Sequence, residues 1–323
     1  MASAPRKPVP PYKRLRFRLE AVTLRAAAWL VSKCSRRFAQ RLGRRLGSLA
    51  YALLPTLRRI SLENLQVAFR GTMSREQKQR IARASLANVG ATLLALFWSP
   101  RLAREQLDGF VDVAGLEHVR VLKAQGRPII FITLHYGDWE LLGLATGFYG
   151  IPITVVQEAM QNEALEEIFG RLRAVSGHRI VPGRFAATTL LKTLKRGGNI
   201  ALLIDLNATP KRGGVWLDFF GLPVFGNAAV AALALHTGAA IVPGVAHPLP
   251  DGRCRIVYGP EIAYQATGDY DTDVRAINQQ CLRFCEDVIR QQPEHWMWSY
   301  KRWKFLPEER RDGYPFYSRY WPM

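Results

Sequence analysis

The spacing of apolar positions changes character along this chain, and the change divides it. From Tyr12 to about Leu57 the apolar residues Leu15, Phe17, Leu19, Val22, Leu24, Trp29, Leu30, Val31, Phe38, Leu42, Leu46, Leu49 and Ala50 are interleaved with Arg and Lys. That pattern predicts basic amphipathic helix, and residues 1–12 ahead of it are Pro-rich and read as disordered. Residues 58–69 continue as an amphipathic helix. Ser74 and Gln77 form a capping box. The helix behind it places Ala82, Leu86, Val89, Leu93 and Leu96 on one face and ends by Pro100. From about residue 111 short apolar runs replace the helical period. Strands are predicted near 111–113, 129–134, 153–156, 199–204, 240–245 and 253–258, with helices between most of them. Alternation of this kind predicts an α/β fold with a mostly parallel central sheet flanked by helices. The last helix carries a core stripe of Val274, Ile277, Cys281, Phe284 and Val288. The organisation is therefore a basic helical segment, 1–57, followed by one larger domain, 58–323.

One stretch concentrates the chemistry. Ile129 to Leu134 is wholly apolar except for Thr133, as suits a strand buried on both faces. His135 follows at once, then Gly137, Asp138 and Glu140, then an apolar helical run. This puts a histidine at the carboxyl end of a buried strand, where open α/β sheets hold their ligands. A neutral imidazole there can take a proton from a hydroxyl, and a carboxylate on its other nitrogen improves it. Asp138 and Glu140 are both candidates for that carboxylate, and spacing does not choose between them. A second buried run, Ile200 to Ile204, ends in Asp205, which places Asp205 at the same sheet edge as His135. The basic, glycine-containing loop Lys211-Arg212-Gly213-Gly214 after it is suited to cradling a phosphate.

Charge adds a partner class. The chain of 323 residues carries a formal net charge of +19. Residues 1–60 hold fifteen Lys or Arg and one acid, Glu20, and so carry +14 of it. Such an end calls for a polyanionic partner, and a basic amphipathic segment with Trp, Phe and Leu fits an interfacial helix on anionic lipid. No apolar run reaches the roughly eighteen residues of a spanning helix, and no secretory signal is evident. The four cysteines have no metal-ligand spacing; Cys281 and Cys285, four apart on a predicted helix, read as small buried hydrophobes, and the set reads as free thiols in a reducing compartment. No GxGxxG motif follows a strand and no Walker A loop is present, so nucleotide binding finds no support. No G-x-S-x-G elbow points to a covalent acyl-enzyme.

Several blocks, in order, resemble the H-x4-D/E glycerolipid-type acyltransferases, and in particular the branch that adds late acyl chains to lipid A. They are His135-x4-Glu140, the run Asn64-Leu65-Gln66-Val67-Ala68-Phe69 after Arg58-Arg59, Phe169-Gly170-Arg171-Leu172-Arg173, Phe219-Phe220-Gly221-x-Pro223, and Pro293-Glu294-His295-Trp296 through Lys304. The resemblance covers about residues 15 to 305. Departures are Asn227, where threonine is common, Asp-Leu-Asn at 205–207, and His295 and Tyr300 in the last block.

The resemblance implies a glycerolipid acyltransferase-like fold and transfer of a fatty acyl chain from acyl carrier protein to a hydroxyl of a lipid A precursor. It implies His135 as general base and Glu140 as its orienting and charge-stabilising partner. Arg173, Asp205, Lys211, Arg212 and Arg302 become candidates for phosphate or acceptor contacts, and Asp138, Asn227 and Glu294 for supporting roles. It implies no metal and no cofactor, no nucleic-acid partner, and a peripheral or monotopic place on the cytoplasmic face of the bacterial inner membrane. The same chemistry on a phosphatidylinositol mannoside or a lysophospholipid is the alternative. A basic, non-catalytic protein that binds nucleic acid or membrane is a more remote one.

Overall fold

The computed structural model describes residues 10–157, 160–183, 186–208, 213–307 and 311–320. Eleven helices are described: α1 (Pro11–Lys33), α2 (Arg36–Leu53), α3 (Pro55–Ala68), α4 (Arg75–Leu96), α5 (Arg104–Leu107), α6 (Leu116–Ala124), α7 (Trp139–Phe148), α8 (Glu163–Ala174), α9 (Ala186–Lys195), α10 (Ala229–Thr237) and α11 (Tyr270–Gln291). The strands are β1 (Val111–Ala114), β2 (Ile129–Thr133), β3 (Ile153–Gln157), β4 (Arg179–Pro182), β5 (Asn199–Leu203), β6 (Val215–Phe219), β7 (Leu222–Gly226), β8 (Ala240–Pro248), β9 (Cys254–Tyr258), β10 (Phe305–Leu306) and β11 (Arg319–Tyr320).

The main sheet has seven strands in the order β1-β9-β8-β2-β5-β3-β4. Only β8 and β9 pair antiparallel; the other neighbours are parallel. The fold class read from the sequence therefore holds. The central strand β2 shows why: Ile129, Ile130 and Ile132 have no exposure, because helices cover both faces and β8 and β5 flank the edges. The stripe on α11 is buried at Val274, Ile277, Cys281 and Val288. The short, Pro-ended strand β4 escapes a sequence reading, and its place at the sheet edge is where a strand tolerates proline.

The amino-terminal segment is three helices, with breaks at Ser35 and at Leu54-Pro55. Ser35 caps α2 by accepting a hydrogen bond from the Phe38 amide at 3.2 Å. Residues 1–9 of the stretch read as disordered lie outside the described residues, while α1 already begins at Pro11. Helices α2 and α4 approach very closely through glycine. A Cβ on Gly43 would lie 2.3 Å from the Gly90 carbonyl oxygen, and one on Gly47 would lie 2.0 Å from that of Leu86. Only hydrogen fits there. Phe38, Leu46, Leu49 and Leu53 of α2 are exposed.

Helix α4 buries Ala82, Leu86 and Leu96 of the predicted stripe, but its buried face extends further round than expected. Leu93 is 39% exposed, whereas Ser85, Asn88 and Thr92 are buried. Their 3–4 spacing makes a polar stripe on a buried helix face, and each of them holds backbone at the site described next.

Candidate active site

Strands β2 and β5 are parallel neighbours, with Thr133 paired to Leu203. His135 and Asp205 each lie two residues beyond that pair, so register alone brings them together. Asp205 Oδ1 lies 2.9 Å from His135 Nδ1, and Asp205 Oδ2 accepts the His135 backbone amide at 2.9 Å. The indole Nε1 of Trp296 donates to the same Oδ2 at 2.8 Å. Asp205 is 1% exposed, and the His135 side chain is 19% exposed. The Trp139 ring packs against the imidazole in a T-shaped contact, with ring centroids 5.4 Å apart. His135 Nε2 makes no hydrogen bond to a described residue.

The electrostatics follow from this geometry. Burial alone disfavours the His135 imidazolium. The charge and hydrogen bond of Asp205, with a further contribution from Glu140, outweigh burial and raise the imidazole above its ordinary value. Burial pushes the Asp205 carboxyl up, but His135 and the Trp296 donor overcome it, so Asp205 stays below the usual carboxylate range.

The turn that presents His135 is gripped on every side. Gly137 has φ +58°, and a Cβ there would stand 1.7 Å from the Ala246 carbonyl oxygen. Its carbonyl accepts from Asn88 Nδ2 at 2.9 Å and Thr92 Oγ1 at 2.8 Å, both on α4. Its amide donates to the His295 carbonyl at 3.0 Å, and the Met297 amide donates to the His135 carbonyl at 3.0 Å. Ser85 bonds the Trp296 carbonyl and accepts from the Trp298 amide. Asn64 reaches the Trp298 and Tyr300 carbonyls, both at 2.7 Å. The Asn64 block and the Pro293–Lys304 block thus meet each other, and the latter meets the His135 turn.

Asp138 caps α7, accepting the Leu141 amide at 3.2 Å, and pairs with Arg36 at 2.9 Å. Both partners are nearly fully buried. Burial raises the Asp138 carboxyl more than Arg36 lowers it. Glu140, also buried, is gripped by Arg173 through two hydrogen bonds, Nε to Oε2 at 2.9 Å and Nη2 to Oε1 at 2.6 Å. Arg173 Nη1 also reaches Gln157 Oε1 at 3.3 Å, and the arginine side chain remains 27% exposed. Burial opposes the Arg173 charge, but Glu140 more than restores it.

Three sequence expectations change. The carboxylate bound to His135 Nδ1 is Asp205, not Glu140; Glu140 is engaged by Arg173 and reaches the imidazole through its charge. The physical reason is that α7 turns Glu140 towards α8, while β5 delivers Asp205 directly. Asp205 is likewise committed to His135 and Trp296 rather than turned to an acceptor. Arg302 has no exposure. It donates to Asn207 Oδ1 at 3.2 Å and lies 5.2 Å over the Phe219 ring, bracing the Asp205-Leu206-Asn207 turn from within. Arg173 lies close enough to His135 for its charge to act on the imidazole. Asn227 is exposed and accepts the Ala229 amide at 2.8 Å at the start of α10. Glu294 is half-buried and acts on Tyr136 and His295 through its charge. Lys211 and Arg212 lie outside the described residues. The sequence reading missed Trp296 as a carboxylate donor and missed Ser85, Asn88 and Thr92. The polar stripe on an otherwise apolar helix was the available signal for the last three.

The site holds one imidazole with Nδ1 bound to a carboxylate and within reach of the Arg173 charge, an arrangement that can support proton abstraction at Nε2. Relatives have matching names. The profile described as "Bacterial lipid A biosynthesis acyltransferase" matches residues 16–305. The lipid A biosynthesis lauroyltransferase of Escherichia coli (strain K12) is 27% identical over 291 residues, 87% of this chain and 90% of that protein. The phosphatidylinositol mannoside acyltransferase of Mycolicibacterium smegmatis is 30% identical over 238 residues, 72% of this chain and 75% of the relative. The lipid A biosynthesis palmitoleoyltransferase of Escherichia coli (strain K12) is 24% identical over 272 residues, covering 82% and 85%. A match of this extent makes the chain an acyltransferase, and it belongs to the bacterial lipid A biosynthesis acyltransferase family.

Proposed function

We propose that this acyltransferase moves a fatty acyl chain from acyl carrier protein onto a hydroxyl of a lipid A precursor, with His135 as general base. The observation that carries the mechanism is the His135–Asp205 pair, which fixes Nδ1 and leaves Nε2 open. In this reading Nε2 removes the proton of the acceptor hydroxyl as its oxygen attacks the thioester carbonyl. The carbon–sulfur bond then breaks. The leaving phosphopantetheine thiolate takes the proton back from the imidazolium. Asp205 stabilises that imidazolium while it exists. In the same reading Arg173, held by Glu140 and still partly exposed, offsets negative charge developing on the carbonyl oxygen. General-base catalysis accounts for roughly 10²–10⁴-fold, and placement of the two substrates supplies much of the rest.

We also assign the chain a peripheral place on the cytoplasmic face of the inner membrane. Among the described residues no helix is long and apolar enough to cross a membrane. Helices α1 and α2 expose Trp29, Leu30, Phe38, Leu46 and Leu49 amid Arg and Lys, the composition of an interfacial helix on anionic lipid.

A phosphatidylinositol mannoside is the second acceptor reading, favoured by the 30% identity to the mycobacterial relative. The deciding experiment presents acylated carrier protein, then acyl coenzyme A, to a lipid panel and reads products by mass spectrometry. A gain of one acyl group on a lipid A precursor, with the carrier protein as donor, upholds the proposal. Transfer only to the mannoside, or only from coenzyme A, replaces the acceptor or the donor. No transfer to any lipid refutes the proposal.

A further inference from the structure

Apart from Arg173, the second basic region of this chain has no role in the reaction above. Between Glu167 and Asp205 the sequence carries Arg171, Arg173, Arg179, Arg184, Lys192, Lys195 and Arg196 and no Asp or Glu. Arg171 is neutralised by Glu167 and Arg173 by Glu140. Three of the others, Arg179, Lys192 and Arg196, converge on one cavity of about 480 Å³, together with Thr154, Thr189 and Thr193.

The cavity is built from regular elements. Thr189, Lys192, Thr193 and Arg196 follow the 3-1-3 spacing that lines up one helical face, running along α9 and just past its end. The other face of α9 buries Leu190 and Leu194 in the core and so fixes which way the polar face looks. Thr154 and Arg179 are register partners on β3 and β4, so both stand on one side of the sheet. The floor turns at Gly198, where a Cβ would lie 2.8 Å from the Thr193 methyl.

Among the described residues, none of these six side chains makes a hydrogen bond or an ion pair. The threonines differ in this from Thr146 and Thr237, whose hydroxyls bond the carbonyl four residues earlier, each at 2.7 Å. Three cations around one cavity repel one another, and their hydroxyl neighbours keep donors free. A group with several anionic oxygens satisfies both at once. The volume falls within the range of small-molecule sites.

The cavity is not part of the reaction centre. It lies at the amino ends of β3, β4 and β5, whereas His135 and Asp205 follow the carboxyl ends of β2 and β5. Five-residue strands separate the two edges by roughly 16 Å.

We propose that this cavity is a second ligand site, for a phosphate-bearing molecule, gripped by Arg179, Lys192 and Arg196 and hydrogen-bonded by the three threonines. The phosphate belongs either to a soluble metabolite or to a lipid headgroup, and the chemistry of the grip is the same.

The test is isothermal titration of the full-length protein with inorganic pyrophosphate at constant ionic strength. Lys192→Ala with Arg196→Ala, both exposed positions, is compared with Lys195→Ala, a cation at the end of the same helix that does not line the cavity. Wild type is expected to bind saturably with one site. The double variant is expected to lose roughly tenfold or more in affinity, since each charge-assisted hydrogen bond is individually strong. Lys195→Ala and basal acyl transfer by the double variant are expected to stay unchanged. Absence of saturable binding, or equal losses in the double variant and Lys195→Ala, overturns the site in favour of diffuse surface charge. Competition by dioctanoyl phosphatidic acid below its aggregation concentration supports a headgroup ligand. Its failure to compete, with pyrophosphate still bound, supports a soluble one.

Discussion

Asp205 holds His135 twice, once at the backbone amide and once at ring Nδ1, both at 2.9 Å. The double grip fixes where the imidazole sits and which nitrogen faces outward. Asp205→Asn is expected to keep the fold but cut kcat by roughly 10²–10⁴-fold with little change in KM, because tautomer and imidazolium stabilisation are lost together. Steady-state kinetics beside a thermal unfolding curve checks this. An equal loss of stability and activity would assign Asp205 a structural role only.

The pH dependence follows from the raised imidazole. A general base works unprotonated, so kcat/KM should climb as pH rises, with its acid limb centred above the ordinary imidazole value of 6.5. Asp205 and Glu140 both favour the protonated ring, Asp205 more strongly. Asp205→Asn should therefore move the limb to lower pH, and Glu140→Gln should move it less. A limb that does not respond to Asp205→Asn belongs to another group.

Gly137→Ala is expected to abolish transfer and lower Tm. The left-handed backbone alone costs a side chain about 1–2 kcal/mol. The Ala246 carbonyl oxygen, 1.7 Å from the new Cβ, must also move. Thermal unfolding and a transfer assay on the purified variant read both effects.

Arg36→Met leaves the Asp138 carboxylate buried without its partner. Breaking a buried ion pair from one side costs about 3–5 kcal/mol. The denaturant midpoint should fall accordingly. The double variant Arg36→Met with Asp138→Asn should recover part of the loss, since it removes the stranded charge while keeping a cap.

Trp29→Glu with Leu30→Glu changes two exposed side chains of α1 and should leave the fold intact. Co-sedimentation with anionic vesicles is expected to weaken roughly tenfold or more as two apolar anchors are lost. Unchanged sedimentation would move the membrane contact elsewhere.

Much of this architecture was legible in the chain. The apolar runs before His135 and before Asp205 mark strands buried on both faces, and their ends mark a shared edge. What the sequence could not supply was register. Asp205 is seventy residues from His135, and only the Thr133–Leu203 pairing makes it the bonded carboxylate in place of the nearer Glu140. The family resemblance implied Glu140 on the adjoining helix, which instead captures Arg173. Arg302 shows a similar limit: a basic block invites a substrate role, yet surrounding aromatics bury the guanidinium completely. The Ser85-Asn88-Thr92 stripe shows the reverse. It was readable as a polar face on a buried helix, but a reading that followed only apolar positions passed over it.

The most direct test of the central claim is single-turnover acyl transfer by wild type and His135→Gln under saturating donor and acceptor, with folding of the variant verified by its unfolding curve. General-base catalysis by His135 predicts a folded variant whose transfer rate falls by at least roughly a hundredfold and no longer rises with pH along the wild-type limb. A folded variant with wild-type rate and pH profile would contradict it.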